Sequence, residues 1–181
     1  MKYATIALFL TLGAAGVSAE ERPVRMRFSG SMVPTAIVVQ PNTITDEELL
    51  AGEGSLGSFT FRKLRTDAVA PQPTAECSGP SQLNIPVTAA GGVFRFEDGS
   101  LLTVVMPDDV DGALCIDLAA GAAHLSETYQ ITGGTGRFKR VSGGTLTLRA
   151  TVRLVMRSAS GAPVLLISTG VIEGTVGHDG W

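Results

Sequence analysis

Carboxylates that fall on an apolar face are the first residues in this chain whose placement could do chemistry. From Leu125 to Ile131 apolar and polar types alternate, so Glu127 and Tyr129 share a face with Leu125 and Ile131. Glu173 in turn continues the row of Leu165, Ile167, Thr169 and Val171. A carboxylate on such a face is costly unless it is paired, protonated or close to water. Either these charges sit at a mouth of the fold or against an arginine, or they are binding or acid/base groups inside it. Glu127, Tyr129 and Glu173 are therefore the candidate ligand-binding residues.

No other constellation rises to that level. His124 falls on the side of Ser126, Thr128 and Gln130, and His178 sits in a polar tail. Neither stands at metal-ligand spacing from Cys77 or Cys115, and nothing pairs a nucleophile with a base, so no catalytic residue, metal or cofactor is assigned. Asp108, Asp109 and Asp111 lack the ligand spacing of a calcium loop and read as a solvated acidic turn. Arg149, Arg153 and Arg157 lie on one strand face, either as a patch for an acidic partner or as a solvated outer wall. Gly133, Gly134 and Gly136 are followed by Arg137 and Phe138 and then a strand, where a phosphate loop would end in Lys-Ser or Lys-Thr and open a helix.

The elements that must position these groups lie within 181 residues, enough for one domain with a core. Lys and Arg number 14 against 17 Asp and Glu, a formal charge of −3 that argues against nucleic acid as a partner. The composition is 44% apolar with 17% charged residues, which excludes a disordered chain. The 22 Gly and 9 Pro suit an all-β chain with many turns.

Residues 1–19 carry a positive start at Lys2, an apolar run from Ala4 to Gly16 and the small residues Val17-Ser18-Ala19. They read as a cleaved secretory signal, since the run falls short of the ~20 residues a membrane span needs. The mature chain then starts at Glu20 as a single domain, 20–181, secreted or periplasmic and not embedded in a membrane. In that setting Cys77 and Cys115 most simply form one disulfide, with two free thiols as the alternative.

Period-2 alternation dominates the mature chain. Val24, Met26 and Phe28 alternate with Arg25 and Arg27, Phe59 and Phe61 with Thr60 and Arg62, and Phe94 and Phe96 with Arg95 and Glu97. The longest run, Thr145 to Arg157, puts Leu146, Leu148, Ala150, Val152, Leu154 and Met156 on one face. Leu101–Met106 and Val164–Val171 are apolar on both faces and need a second cover, such as a partner subunit. Thr45-Asp46-Glu47-Glu48 has the spacing of a capping box before Leu49, Leu50 and Ala51, which predicts one short helix near 45–51. Asp67 to Pro86 reads as a loop pinned by Cys77. The remaining strands imply an all-β fold, either a sandwich or an antiparallel barrel that is closed or nearly so, of about eight strands. Closure is preferred because it removes exposed edges.

The segment from Tyr129 to Leu148 contains Gly133-Gly134-Thr135-Gly136-Arg137-Phe138, a tight corner before the long strand. It resembles the Gly-Gly-Thr-Gly-Lys/Arg-Phe turn of dirigent proteins and allene oxide cyclases, and of exported bacterial proteins similar to both. The resemblance implies an eight-stranded barrel, often trimeric, in which Gly133, Gly134, Gly136 and Phe138 form a structural turn. Dirigent proteins steer phenoxy-radical coupling and allene oxide cyclases cyclise a fatty-acid epoxide, both by shaping a bound intermediate. None of their functional residues is carried over to a position here, and a shared fold does not transfer an activity. The chain is expected to be a non-catalytic module that binds a small apolar ligand or serves a structural role. The alternative is an isomerase- or cyclase-like enzyme that uses the barrel as a mould.

Overall fold

Alternation on this scale leaves one face of every strand dry, and the sheet buries that face by curling back on itself. The computed structural model describes residues 20–72, 77, 82–110 and 112–178. The proposed signal sequence, Asp111 and Trp181 lie outside the described residues. The strands are β1 (Glu20–Pro34), β2 (Thr43–Gly54), β3 (Phe59–Ala68), β4 (Gln82–Phe96) and β5 (Leu101–Val105). They continue as β6 (Gly112–Asp117), β7 (Ala122–Gly134), β8 (Val141–Gly143), β9 (Thr145–Arg157) and β10 (Pro163–His178).

The antiparallel ladder runs β1-β2-β3-β4, then β5 and β6 sharing one position between β4 and β7, then β7-β9-β10. β10 pairs with β1 from His178 opposite Glu20 to Leu166 opposite Met32, which completes a ring of 8 strands. β8 is a short spur on the end of β10. The inner face carries the core, with Met26, Leu50, Phe61, Phe94, Leu102, Leu146, Leu148 and Ile172 almost fully buried. Arg25, Arg27, Arg62, Arg95, Arg149 and Arg153 point outward.

One end of the ring is plugged by aromatic rings. Phe61 stacks on Phe94 at 3.8 Å, and Phe96 lies 4.9 Å from Phe138. The glycine turn seals this plug. Gly136 takes φ +59°, a conformation L side chains rarely adopt, and a Cβ on Gly134 would come within 2.5 Å of the Phe138 Cβ. The Arg137 guanidinium covers Phe96 and Phe138 at 4.6 Å and 4.8 Å and donates to the Leu56 carbonyl. Gly133 and Gly134 belong to β7 and show no positive φ, so of the three glycines of the turn Gly136 alone takes the left-handed conformation.

The predicted helix near 45–51 does not exist. These residues form the middle of β2, paired with β3 from Thr43 opposite Ala68 to Gly52 opposite Phe59. Asp46, Glu48 and Leu50 are buried while Leu49 and Ala51 are exposed, a period of two. The capping-box spacing was a coincidence of acidic residues that the fold needs on its inner face. The loop expected from Asp67 to Pro86 is also shorter, because β3 runs to Ala68 and β4 begins at Gln82. Pro86 is tolerated in β4 beside the irregularity where Thr66 pairs with Ala89 but Asp67 with Val87. His178, read as part of a polar tail, is buried at the end of β10.

Cys77 and Cys115 form a disulfide with Cα atoms 5.5 Å apart, tying the β3–β4 connection to β6. Closing a separation of 38 residues is worth roughly 4 kcal/mol in the chain-entropy picture. Among the described residues no helix is long and apolar enough to cross a membrane.

Candidate functional site

β2 and β3 run antiparallel with Asp46 opposite Arg65 and Glu48 opposite Lys63. Opposite charges placed directly across a strand pair attract, and here both pairs face inward. Lys63 and Arg65 have side chains with no exposure at all. β7 brings Glu127 and Tyr129 to the same layer from across the lumen, each 1% exposed.

The layer is one connected network. Lys63 Nζ donates to Glu127 Oε2, and Tyr129 donates its hydroxyl to the same oxygen at 2.6 Å. Lys63 Nζ also lies 3.2 Å from Glu48 Oε1 and 3.2 Å from the Tyr129 hydroxyl. Arg65 donates from Nη1 to Glu48 at 3.0 Å and from Nη2 to Asp46 at 2.9 Å and Asp67 at 2.7 Å. Lys63 is thus a strut between β3 and β7, and Arg65 is a hub for the carboxylates of β2 and β3. Breaking such a network at one member strands a charge in a medium of low dielectric.

Burial pushes the Glu127 carboxyl up, but the charges of Lys63 and Arg65 and the hydrogen bonds from Lys63 and Tyr129 outweigh it and hold it below its ordinary value. Asp67 goes the other way. Burial is the larger influence there, Arg65 only partly offsets it, and its pKa is raised from 3.8 to about 6. Burial and the neighbouring Glu127 charge push the Tyr129 hydroxyl well above its ordinary value. Arg65 loses by burial and gains more from the surrounding carboxylates, so it stays charged. Among the described residues, three buried atoms of the network have no hydrogen-bond partner: Arg65 Nε, Asp67 Oδ1 and Glu127 Oε1.

Above this layer, at the end opposite the aromatic plug, lies a cavity of about 520 Å³. Its walls include Met32, Ile85, Leu114, Ile116, Val152 and Leu166. Asp46, Arg65 and Asp67 line it where the apolar walls meet the ion network. Ile44, Val69 and Leu118, all exposed, stand at its rim, with Asp117 and Arg157 as the charged rim residues. A concave apolar site with a few convergent polar groups is the usual form of a small-molecule pocket. A hollow of about 920 Å³ on the outer wall, lined by His124, Thr128, Arg149 and Thr151, is wider and more open and contains none of the network.

Of the residues singled out from the sequence, Glu127 and Tyr129 lie together inside the ring. Glu173 does not join them. It sits on the outer wall, 3.2 Å from Arg25 and 3.9 Å from Arg149. Strand β10 carries its dry face on Ser168, Ile172 and Val176, so the apolar row of Leu165 and Ile167 that placed Glu173 is the outward one. Asp46, Glu48, Lys63, Arg65 and Asp67 were missed. The signal for them was there: Lys63, Arg65 and Asp67 continue the alternation of Phe59 and Phe61 along β3, with acidic residues at the matching spacing in β2.

No protein-family model matches the chain, and no curated protein matches it. Among solved structures, that of the pterocarpan synthase dirigent protein GePTS1 aligns over 91% of this chain and 90% of its own at 13% identity, with a TM-score of 0.36. A likeness this distant transfers neither residue roles nor activity.

Proposed function

We propose that this protein is an exported binding module that takes a small apolar molecule into the mouth of its β-ring. The observation that carries the reading is the 520 Å³ cavity, apolar on its walls and closed below by a buried ion network. A purely structural ring would be expected to fill this space with side chains, as it fills the opposite end with phenylalanines. Glu127 and Tyr129 serve the site from beneath, by holding Lys63 and through it the floor. The test is fluorescence titration with the neutral apolar probe N-phenyl-1-naphthylamine. Saturable binding by the parent, lost in Ala123→Phe, which fills the cavity, is the expected result. No binding by the parent, or equal binding by the variant, refutes the reading.

Asp67 favours a second reading, an isomerase- or cyclase-like enzyme. A carboxyl pushed up to about 6 beside an arginine can exchange a proton near neutral pH with a molecule held in the mould. Solvent deuterium entering a bound molecule, and ceasing to enter in Asp67→Asn, would favour catalysis over binding alone.

Export and self-association belong to the same proposal. The disulfide suits an oxidising compartment. The outward Val155, Met156, Val164 and Ile167 of β9 and β10 are exposed and suit a homo-oligomer, a trimer by the resemblance noted in the sequence. An intact mass starting at Glu20 and light scattering above the monomer mass are the expected results. A chain that retains residues 1–19 after export, or a monomer at all concentrations, removes the corresponding part.

A further inference from the structure

The chemical class of the ligand is written in the charge of the cavity floor. This inference rests on the small-molecule reading above and narrows it. Carboxylates outnumber cations in the buried layer, with Asp46, Glu48, Asp67 and Glu127 set against Lys63 and Arg65. The charge of both cations is shared out within it, with the Arg65 Nε left as the one unpaired cationic donor of the network among the described residues. Lys63 is held by Glu48, Glu127 and Tyr129, and Arg65 by Asp46, Glu48 and Asp67. Among the charged groups at the rim, Asp117 and Arg157 offset one another. A bound anion would therefore meet a floor whose positive charge is already spent, with surplus negative charge behind it.

Asp67 supplies the second observation. It lines the cavity, is 6% exposed, and gives one oxygen to Arg65 while its Oδ1 has no partner among the described residues. A buried carboxylate oxygen without a donor is costly and accepts readily when a donor is offered. We propose that the cavity selects apolar molecules carrying a primary ammonium, which pairs with the Asp67 carboxylate while the hydrocarbon body lies against Met32, Leu114, Ile116, Val152 and Leu166. The charge of the ligand completes the balance that Lys63 and Arg65 leave unfinished. The same floor disfavours the matching carboxylate, because the Arg65 charge is already shared among Asp46, Glu48 and Asp67, although its Nε keeps no partner among the described residues.

The experiment is calorimetric titration of the full mature chain at pH 7.5 with three probes of equal body: octylammonium, 1-octanol and octanoate. The expected order is octylammonium tightest, by about tenfold or more over octanol, as a charge-assisted hydrogen bond would give, with octanoate weakest. Asp67→Asn should remove the octylammonium advantage and leave octanol binding within about twofold, a difference too small to register one lost hydrogen bond. Octanoate binding as tightly as octylammonium, or octanol matching it in the parent chain, overturns the ligand class while the binding reading stands. Failure of all three probes to bind overturns both. The ranking in the parent chain decides the matter even if Asp67→Asn does not fold.

Discussion

At the scale of single residues, Asp67 is the group that most directly couples this fold to pH. Its pKa is raised in the folded chain, from 3.8 to about 6, chiefly by burial. A carboxyl that binds its proton more tightly when folded stabilises the fold fully below its unfolded value, and that stability is lost as pH rises through the folded one. Asp67 therefore makes the protein less stable at pH 7 than at pH 5 by about 1 kcal/mol, out of about 3 kcal/mol over the whole range of the shift. Glu127 has the opposite sign, since its pKa is lowered. Its contribution is present above the ordinary carboxyl range and is lost only at more acidic pH, outside this window. Thermal melts of the parent should show a falling midpoint between pH 5 and 7, and Asp67→Asn should flatten that fall. A parent midpoint that rises across the window contradicts the assignment. Glu127 was legible from the sequence because it interrupts an apolar row at a period of two. Asp67 was not, because it stands at the end of a row that had already turned ionic.

At the scale of elements, β2 and β3 act as one unit, held by the pairing of Asp46 with Arg65 and Glu48 with Lys63 across the ladder. The sequence misled at β2 because its acidic residues look solvent-seeking. Thr45-Asp46-Glu47-Glu48 meets the requirements of a helix start, and only the cations arriving from β3 make it a buried strand. Long-range charge pairing of this kind leaves no local trace. The alternation of β1, β4 and β9, by contrast, depends on apolar residues alone and reads directly, except that Met156 turns outward where the β9–β10 register shifts. Lys63→Met tests the unit. It leaves the carboxylates of Glu48 and Glu127 without their shared cation, and the loss of one partner from a buried pair costs about 3–5 kcal/mol. Urea unfolding at pH 7.5 should lose that much stability. A variant within 1 kcal/mol of the parent, on the scale where buried pairs are replaced without loss, would show that the network contributes little.

For the whole molecule, a ring plugged at one end by aromatic side chains and, among the described residues, open at the other has the form of a vessel. The hairpin ends at Pro34, Val69, Leu118 and Ala162 all contribute to that entrance, because every second turn of an up-and-down ring falls at the same end. The all-β class and the closing turn at Gly136 and Phe138 were legible, since period-2 patterning and glycine chemistry are local. The cavity was not, because it arises where side chains from β1, β4, β6, β9 and β10 fail to meet. The most direct test is a methyl NMR titration of the protein with N-phenyl-1-naphthylamine. Shifts at the inward methyls of Met32, Leu114, Ile116, Val152 and Leu166, with Val164 and Ile167 on the outer wall unmoved, are the result this account predicts. Shifts confined to the outer wall, or none at any methyl under saturating probe, would contradict it.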